Sequence, residues 1–491
     1  MSRSVRAVSV ATALAACVAV TLLIWHASHY FFLYDDFALV AIAGRSSWKT
    51  LATTPQIGFF RPLPLLIMRA EFGVVQWASA SAYAFEALVI HVANAALVGV
   101  LAARIGLRRP LAFTAAVLFL LSAASGEGYF WLSSTFDRLC VLGTLIALVA
   151  GVSVVSATNH RTFWAWACAA LLGSGVALLS KESGVVLPAL SLATFVMAGV
   201  PLRPRALSYV GLQAALVLSL LIYREHLLPG LGGAYGQLGS LWGQADVPTN
   251  LISYARSVVH LPLPWHDTTW LVGRLAATAI VLSAAGWLVI VVALGVRRPT
   301  ALAGVLFGSL AAIAPVAWVR MLPGTTASGR LLYLPGIFVA LLPALALDVD
   351  ESTPRRVLSS ITTVAVMVIL CVQTASVLYQ ARIWRLGSDL SFLTLEEMRP
   401  YGRFDRPLYV ENMPAFFIEG PFVLKDYAFP LYLGSAFKPR VRARGMALKV
   451  DNGRPVFSGW LETEGPRPDE RVVRLRVLDG LYENRLPDTT R

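Results

Sequence analysis

Long apolar runs recur through the first 380 positions: 7–25, 81–103, 110–126, 134–155, 163–180, 184–200, 207–223, 270–294, 301–319, 331–347 and 357–379. Each is about as long as the roughly 17–25 residues that carry a helix across a bilayer, although three are short or polar. The pattern predicts an all-α polytopic membrane domain over residues 1–380, with about eleven transmembrane helices. The first run starts with basic residues, has no small-residue cleavage site before His26, and continues into Trp25, Tyr30, Phe31 and Phe32. Aromatic residues suit a membrane interface, so this run reads as an anchor and not as a removable leader. The stretch FFRPLPLLIMRAEFGVVQW is apolar but contains Arg69 and Glu71, and is expected to lie as a helix in the interface plane.

Beyond position 380 the pattern changes. Residues 381–399 read as a linker. Between 400 and 491, short runs such as PLYVEN, RVRARGMALKV and VVRLRVLD alternate or nearly alternate, and Gly, Pro and Asp clusters break them up. That is the signature of a small β-rich domain, with VRLRVLD as a strand wet on one face.

Composition agrees. The chain is 57% hydrophobic and 14% charged, against about 25% charged in a soluble domain. A soluble enzyme, a disordered chain and a secreted disulfide scaffold are excluded. Cys17, Cys140, Cys168 and Cys371 lie in apolar runs and read as small buried hydrophobes.

The net charge of +13 would suit nucleic acid, but its placement argues otherwise. Arg3/Arg6, Arg104/Arg108/Arg109, His160/Arg161, Arg203/Arg205, Arg297/Arg298 and Arg355/Arg356 each mark a short loop. With eleven spans these loops share one side, which the positive-inside rule assigns to the cytoplasm. The chain is then expected in the cytoplasmic (inner) membrane, with its amino terminus cytoplasmic and its β-rich domain outside. The opposite loops include a first one over 26–80 and a second long one over 224–269. The second holds Gly230, Gly232, Gly233, Gly236 and Gly239, in no phosphate-loop pattern. His260 and His266 flank LPLPW there, a weak metal-ligand spacing.

Ionisable residues at membrane depth mark function by default. Asp35 and Asp36 follow the first span, and Arg61 opens the interfacial segment. Glu127, Asp137 and Arg138 sit at the turn between the third and fourth spans. Lys181 and Glu182 occupy the turn between the fifth and sixth, while Arg320, Arg330 and Tyr333 lie around the ninth and tenth. Arg138, Lys181 and Arg330 face outward against the positive-inside trend, so an anion is expected among them. A lipid-linked phosphate meets that requirement through charge-assisted hydrogen bonds. An Asp across the pocket can then take the proton of an acceptor hydroxyl. Asp35 is the expected general base, with Asp36 as its orienting partner or as a divalent-metal ligand, the two placed on a non-helical segment. His91 and Asn94 share one helical face and read as structural hydrogen-bonding groups.

Several short pieces stand in order: YDDF at 34–37, FRPL at 60–63, HVAN at 91–94, GEGYFW with DR at 126–138, SKESG at 180–184 and GRLLYLP at 329–335. Together they resemble the multi-span glycosyltransferases of the GT-C class over roughly residues 20–380. The nearest likeness is to the protein O-mannosyltransferase-like branch that includes the transmembrane-and-tetratricopeptide mannosyltransferases. The tail shows no 34-residue period, so the repeats are missing. The resemblance implies inverting transfer of a sugar from a polyprenyl-phosphate donor to an acceptor hydroxyl on the outer membrane face. By the same likeness the catalytic carboxylate is Asp35 or Asp36. Arg138, Lys181 and Arg330 would serve the donor phosphate, and Glu127 and Glu182 would order the pocket; Arg61 and Tyr333, from their shared depth, are also expected to bind substrate. The competing readings are a transporter of a lipid-linked or small anionic substrate, a glycan ligase or polymerase, and a scaffold. A transporter would be expected to show matched halves, and none is visible.

Overall fold

The computed structural model describes residues 3–228, 246–264, 270–326, 328–348, 356–418, 420–425, 428–433, 437, 439–451, 454–460 and 465–476. The glycine-rich stretch and His266 lie outside these residues. Among them, eight helices are long and apolar enough to cross a membrane, and three shorter apolar helices cover 109–125, 182–197 and 336–347. These eleven fall on the eleven expected runs, and the chain is a multi-pass membrane protein.

The helices are α1 (Arg3–Ser28), α2 (Asp35–Arg45), α3 (Trp48–Thr53), α4 (Pro62–Val75), α5 (Ala80–Arg104) and α6 (Arg109–Leu120). Then come α7 (Glu127–Phe130), α8 (Thr135–Ser156), α9 (His160–Ser180), α10 (Leu187–Met197) and α11 (Pro204–Leu227). The membrane domain finishes with α12 (Val247–Val259), α13 (Trp270–Arg297), α14 (Pro299–Ile313), α15 (Gly336–Leu347) and α16 (Arg356–Met398). Local chemistry sets their starts. Ser79 accepts from the Ala82 amide, and Asn159 accepts from the Thr162 amide at 2.8 Å, satisfying amides that have no intrahelical partner. Proline opens α4, α6, α10, α11 and α14, where its missing N–H is not needed. The tightest crossing joins α8 to α9: a Cβ on Gly143 would lie 2.4 Å from the Ala177 nitrogen, so only glycine lets these backbones meet.

The three short helices share a cause. On one side of the domain, 3₁₀ turns replace the last or first turn of the helix: Ala123–Ser125 and Leu132–Ser134, Glu182–Val186, Ala314–Val316 and Gly329–Leu332. Ala123–Ser125 packs against Gly329–Leu332, and Glu182–Val186 packs against Ala314–Val316. Irregular backbone at membrane depth is tolerated where protein buries it or where it lines a cavity.

α4 has 14 residues, too few to span, and Arg69 ties it to α2 through the Gly44 carbonyl at 2.8 Å. Burial, with Glu86 nearby, pushes the Glu71 carboxyl up to about 8. It is therefore neutral near pH 7, which eases its place in an interfacial helix.

Two expectations are corrected. Residues 381–398 are not a linker: α16 runs unbroken for 43 residues, about 65 Å at 1.5 Å per residue against a hydrocarbon core of about 30 Å. Its apolar face stays packed past the membrane span, with Ile383, Trp384, Leu390 and Leu395 buried, so the helix has no reason to stop. Asp35 and Asp36 are not on a non-helical segment, because they open α2.

The carboxy-terminal unit is a mixed sheet in the order β3-β2-β1-β4, built from β1 (Leu408–Phe417), β2 (Val441–Asp451), β3 (Arg454–Trp460) and β4 (Arg471–Arg474). β1 is central and runs parallel to β2 and β4, while β2 and β3 pair antiparallel. The expected alternation appears at its end: Val473 and Leu475 are buried, and Arg474 and Arg476 face out.

Candidate active site

The packed turns enclose one side of a cavity of about 550 Å³. Its walls bring together Asp35 from the start of α2, Arg61 from the start of α4, and Ser133 and Asp137 around the start of α8. Lys181 and Glu182 enter from the end of α9, Arg224 from the end of α11, and Arg330 from the turn before α15. Four cations and three carboxylates thus face one space, framed by apolar groups such as Leu65, Phe136 and Trp318.

The charges are held in pairs. Arg61 donates from Nε to both oxygens of Glu182, at 2.8 and 3.1 Å, and its NH2 lies 2.6 Å from Oε2. Arg224 reaches the other oxygen of the same carboxylate. One Glu therefore anchors two guanidinium groups from separate helices. Lys181 donates to Asp137 at 2.5 Å, which uses one of the three N–H bonds of its ammonium. The Arg330 guanidinium lies over the Trp131 ring at 4.8 Å, and its backbone amide donates to Glu127 at 3.1 Å. Glu127 is buried behind the turn, and burial raises its carboxyl above the usual range against the pull of Arg330.

The two adjacent aspartates part ways because neighbouring helical residues point about 100° apart. Asp35 faces the cavity. Asp36 is fully buried and accepts four hydrogen bonds: the Tyr30 hydroxyl at 2.5 Å and the Leu33 amide at 2.9 Å on one oxygen, the Ser133 amide at 2.9 Å and hydroxyl at 2.5 Å on the other. Burial still pushes its carboxyl up to about 6, so it is ionised near neutrality. Its geometry is that of an orienting group. As a metal ligand it would have to release donors that already saturate it, and no cluster of three His, Cys, Asp or Glu suited to a metal exists among the described residues.

Just before Asp35, Tyr34 takes φ 40° and ψ −108°, a region that L-residues avoid. Such conformations cost about 1–3 kcal/mol and persist where the surroundings over-determine them.

Three expected binding residues do not reach the cavity: Glu127, buried behind the turn, Arg138 and Tyr333. Arg138 is fully buried and spends its guanidinium on the carbonyls of Gly128, Trp131 and Leu132, at 2.8–2.9 Å. Helical side chains lean toward the amino terminus, and from the first turn of α8 that direction leads into the 126–134 turn. Arg138 thereby shapes the loop that presents Ser133. Tyr333 is also fully buried, its hydroxyl bonded to His91 Nδ1 at 2.7 Å and to Asn94 at 3.1 Å. A Cβ on Gly128 would sit 2.6 Å from its ring, so Gly128 makes this packing possible. His91 and Asn94 thereby join α5 to Leu120 at the end of α6, to Arg138 in α8 and to Tyr333 before α15.

Sequence reasoning missed Arg224 and the partner of Lys181. Arg224 ends the seventh expected span, the same place at which Lys181 ends the fifth, and that parity was the available signal. Asp137 pairs with Lys181 and not with its neighbour Arg138, since adjacent helical residues point apart.

No family model matches the chain, and no curated protein matches it. Similar solved structures include ArnT from Cupriavidus metallidurans bound to undecaprenyl phosphate, with 12% identity and a TM-score of 0.48 over 88% of this chain and 85% of that one. Another is the archaeal oligosaccharyltransferase AglB from Archaeoglobus fulgidus in complex with an inhibitory peptide and a dolichol-phosphate, with 13% identity and a TM-score of 0.45 over 88% of this chain and 64% of that one.

Proposed function

We propose that this protein is an inverting glycosyltransferase that moves a sugar from a polyprenyl-phosphate donor to an acceptor hydroxyl at the outer face of the cytoplasmic membrane. The observation that carries this reading is a cavity that places the Asp35 carboxylate in one space with Arg61, Lys181, Arg224 and Arg330. A volume of about 550 Å³ is that of a small-molecule site.

Asp35 takes the proton of the acceptor hydroxyl as its oxygen attacks the anomeric carbon. The new C–O bond forms opposite the breaking one, hence inversion, and the electron pair of the broken bond leaves with the lipid phosphate. Lys181, with Arg330 and the guanidinium groups that Glu182 anchors, stabilises that developing charge. The ion pairs fix the cations beforehand, so little reorganisation remains at the moment of reaction.

Binding of a polyprenyl phosphate to detergent-solubilised protein tests the phosphate side. Lys181→Gln removes one charge-assisted hydrogen bond and should weaken binding about 10- to 100-fold, the equivalent of roughly 1.5–3 kcal/mol. Equal affinity in wild type and variant would remove Lys181 from the phosphate site.

A further inference from the structure

We infer that the carboxy-terminal sheet is a positioning part of the active site, clamping Tyr34 so that Asp35 faces the cavity; this rests on the transferase reading. The Tyr34 amide donates to the carbonyl of Val423 at 3.0 Å, and the Val423 amide donates in turn to Ala415 of β1 at 2.7 Å. One chain of backbone bonds therefore links the central strand to the residue before the general base. The Tyr34 ring lies 4.9 Å from that of Phe422, and the Lys425 ammonium sits 5.7 Å from the centroid of the Tyr34 ring.

The extended part of α16 completes the grip. Arg385 donates to the His29 carbonyl at 2.8 Å, and Ser391 donates to the Phe32 carbonyl at 2.7 Å. Gly387 lets Pro421 come close, since a Cβ there would be 3.0 Å from its ring. The loop is thus tied down at His29, at Phe32 and at Tyr34, whose backbone conformation is unfavourable by itself. A strained link needs an external restraint to hold it, and here the restraint belongs to the sheet unit. Releasing it lets Tyr34 relax, and α2 begins at the next residue.

Phe422→Ala removes the ring contact without touching the cavity, and Phe422→Tyr keeps it. Wild type and both variants are compared by hydrogen exchange of the 31–37 segment, by affinity for polyprenyl phosphate, and by kcat. In Phe422→Ala, exchange should rise in 31–37 alone, lipid affinity should stay within about twofold, and kcat should fall up to about 10²-fold, the effect of a small misplacement at a reacting centre. Phe422→Tyr should restore wild-type behaviour. Unchanged exchange and kcat in Phe422→Ala would overturn the clamp, as would a loss of lipid affinity that tracks kcat, which is the mark of general unfolding. If the wild type transfers no sugar, the transferase reading fails, and the exchange measurement still decides whether the clamp exists.

Discussion

At the residue scale, a position in the sequence and the direction of its side chain proved to be separate questions. Spans ended by charged residues showed which groups reach one membrane depth, and Asp35, Arg61, Lys181, Glu182 and Arg330 do share a cavity. Direction was not legible. Asp36 and Arg138 each adjoin a cavity residue, yet both turn into the core, because only tertiary packing supplies the donors and carbonyls that receive them. Asp36 gives a sharp test. In Asp36→Asn one oxygen becomes an NH₂ group, which leaves a backbone amide, that of Leu33 or Ser133, without an acceptor. An unsatisfied buried group costs about 1–3 kcal/mol, so thermal stability should drop along with activity. A variant with wild-type stability that loses turnover alone would instead place Asp36 in the chemistry.

At the element scale, the apolar runs located, among the described residues, the eight helices long enough to cross a membrane and the three shorter apolar ones, because burial in lipid is dictated by composition over a long window. The 3₁₀ turns were invisible, since no local signal separates a helix that ends early from one that continues. α16 went the opposite way: residues 381–399 read as a linker, but one face of that stretch, carrying Arg385, Ser388 and Ser391, packs against the loop at 29–37 and keeps it helical. The proposed orientation rests on the placement of the basic loops. Reporter fusions at Arg109, Arg205 and Arg298 should read cytoplasmic, and one placed after Gly402 should read outside. A cytoplasmic reading at Gly402 would reverse the membrane sidedness of the cavity.

At the scale of the whole molecule, the membrane domain collects the charges and the carboxy-terminal sheet stabilises the loop that aims one of them. The sheet was legible as a β-rich unit from its alternating runs. Its role was not, because the bond from Tyr34 to Val423 joins positions 389 residues apart. The central claim is that this assembly transfers a sugar with Asp35 as its base. The most direct measurement is transfer from a polyprenyl-phosphate sugar by purified wild-type protein and by Asp35→Asn, with lipid binding followed in parallel. The wild type should turn over, Asp35→Asn should lose about 10²–10⁴-fold, and lipid binding should be nearly unchanged. Normal turnover in Asp35→Asn would contradict that claim.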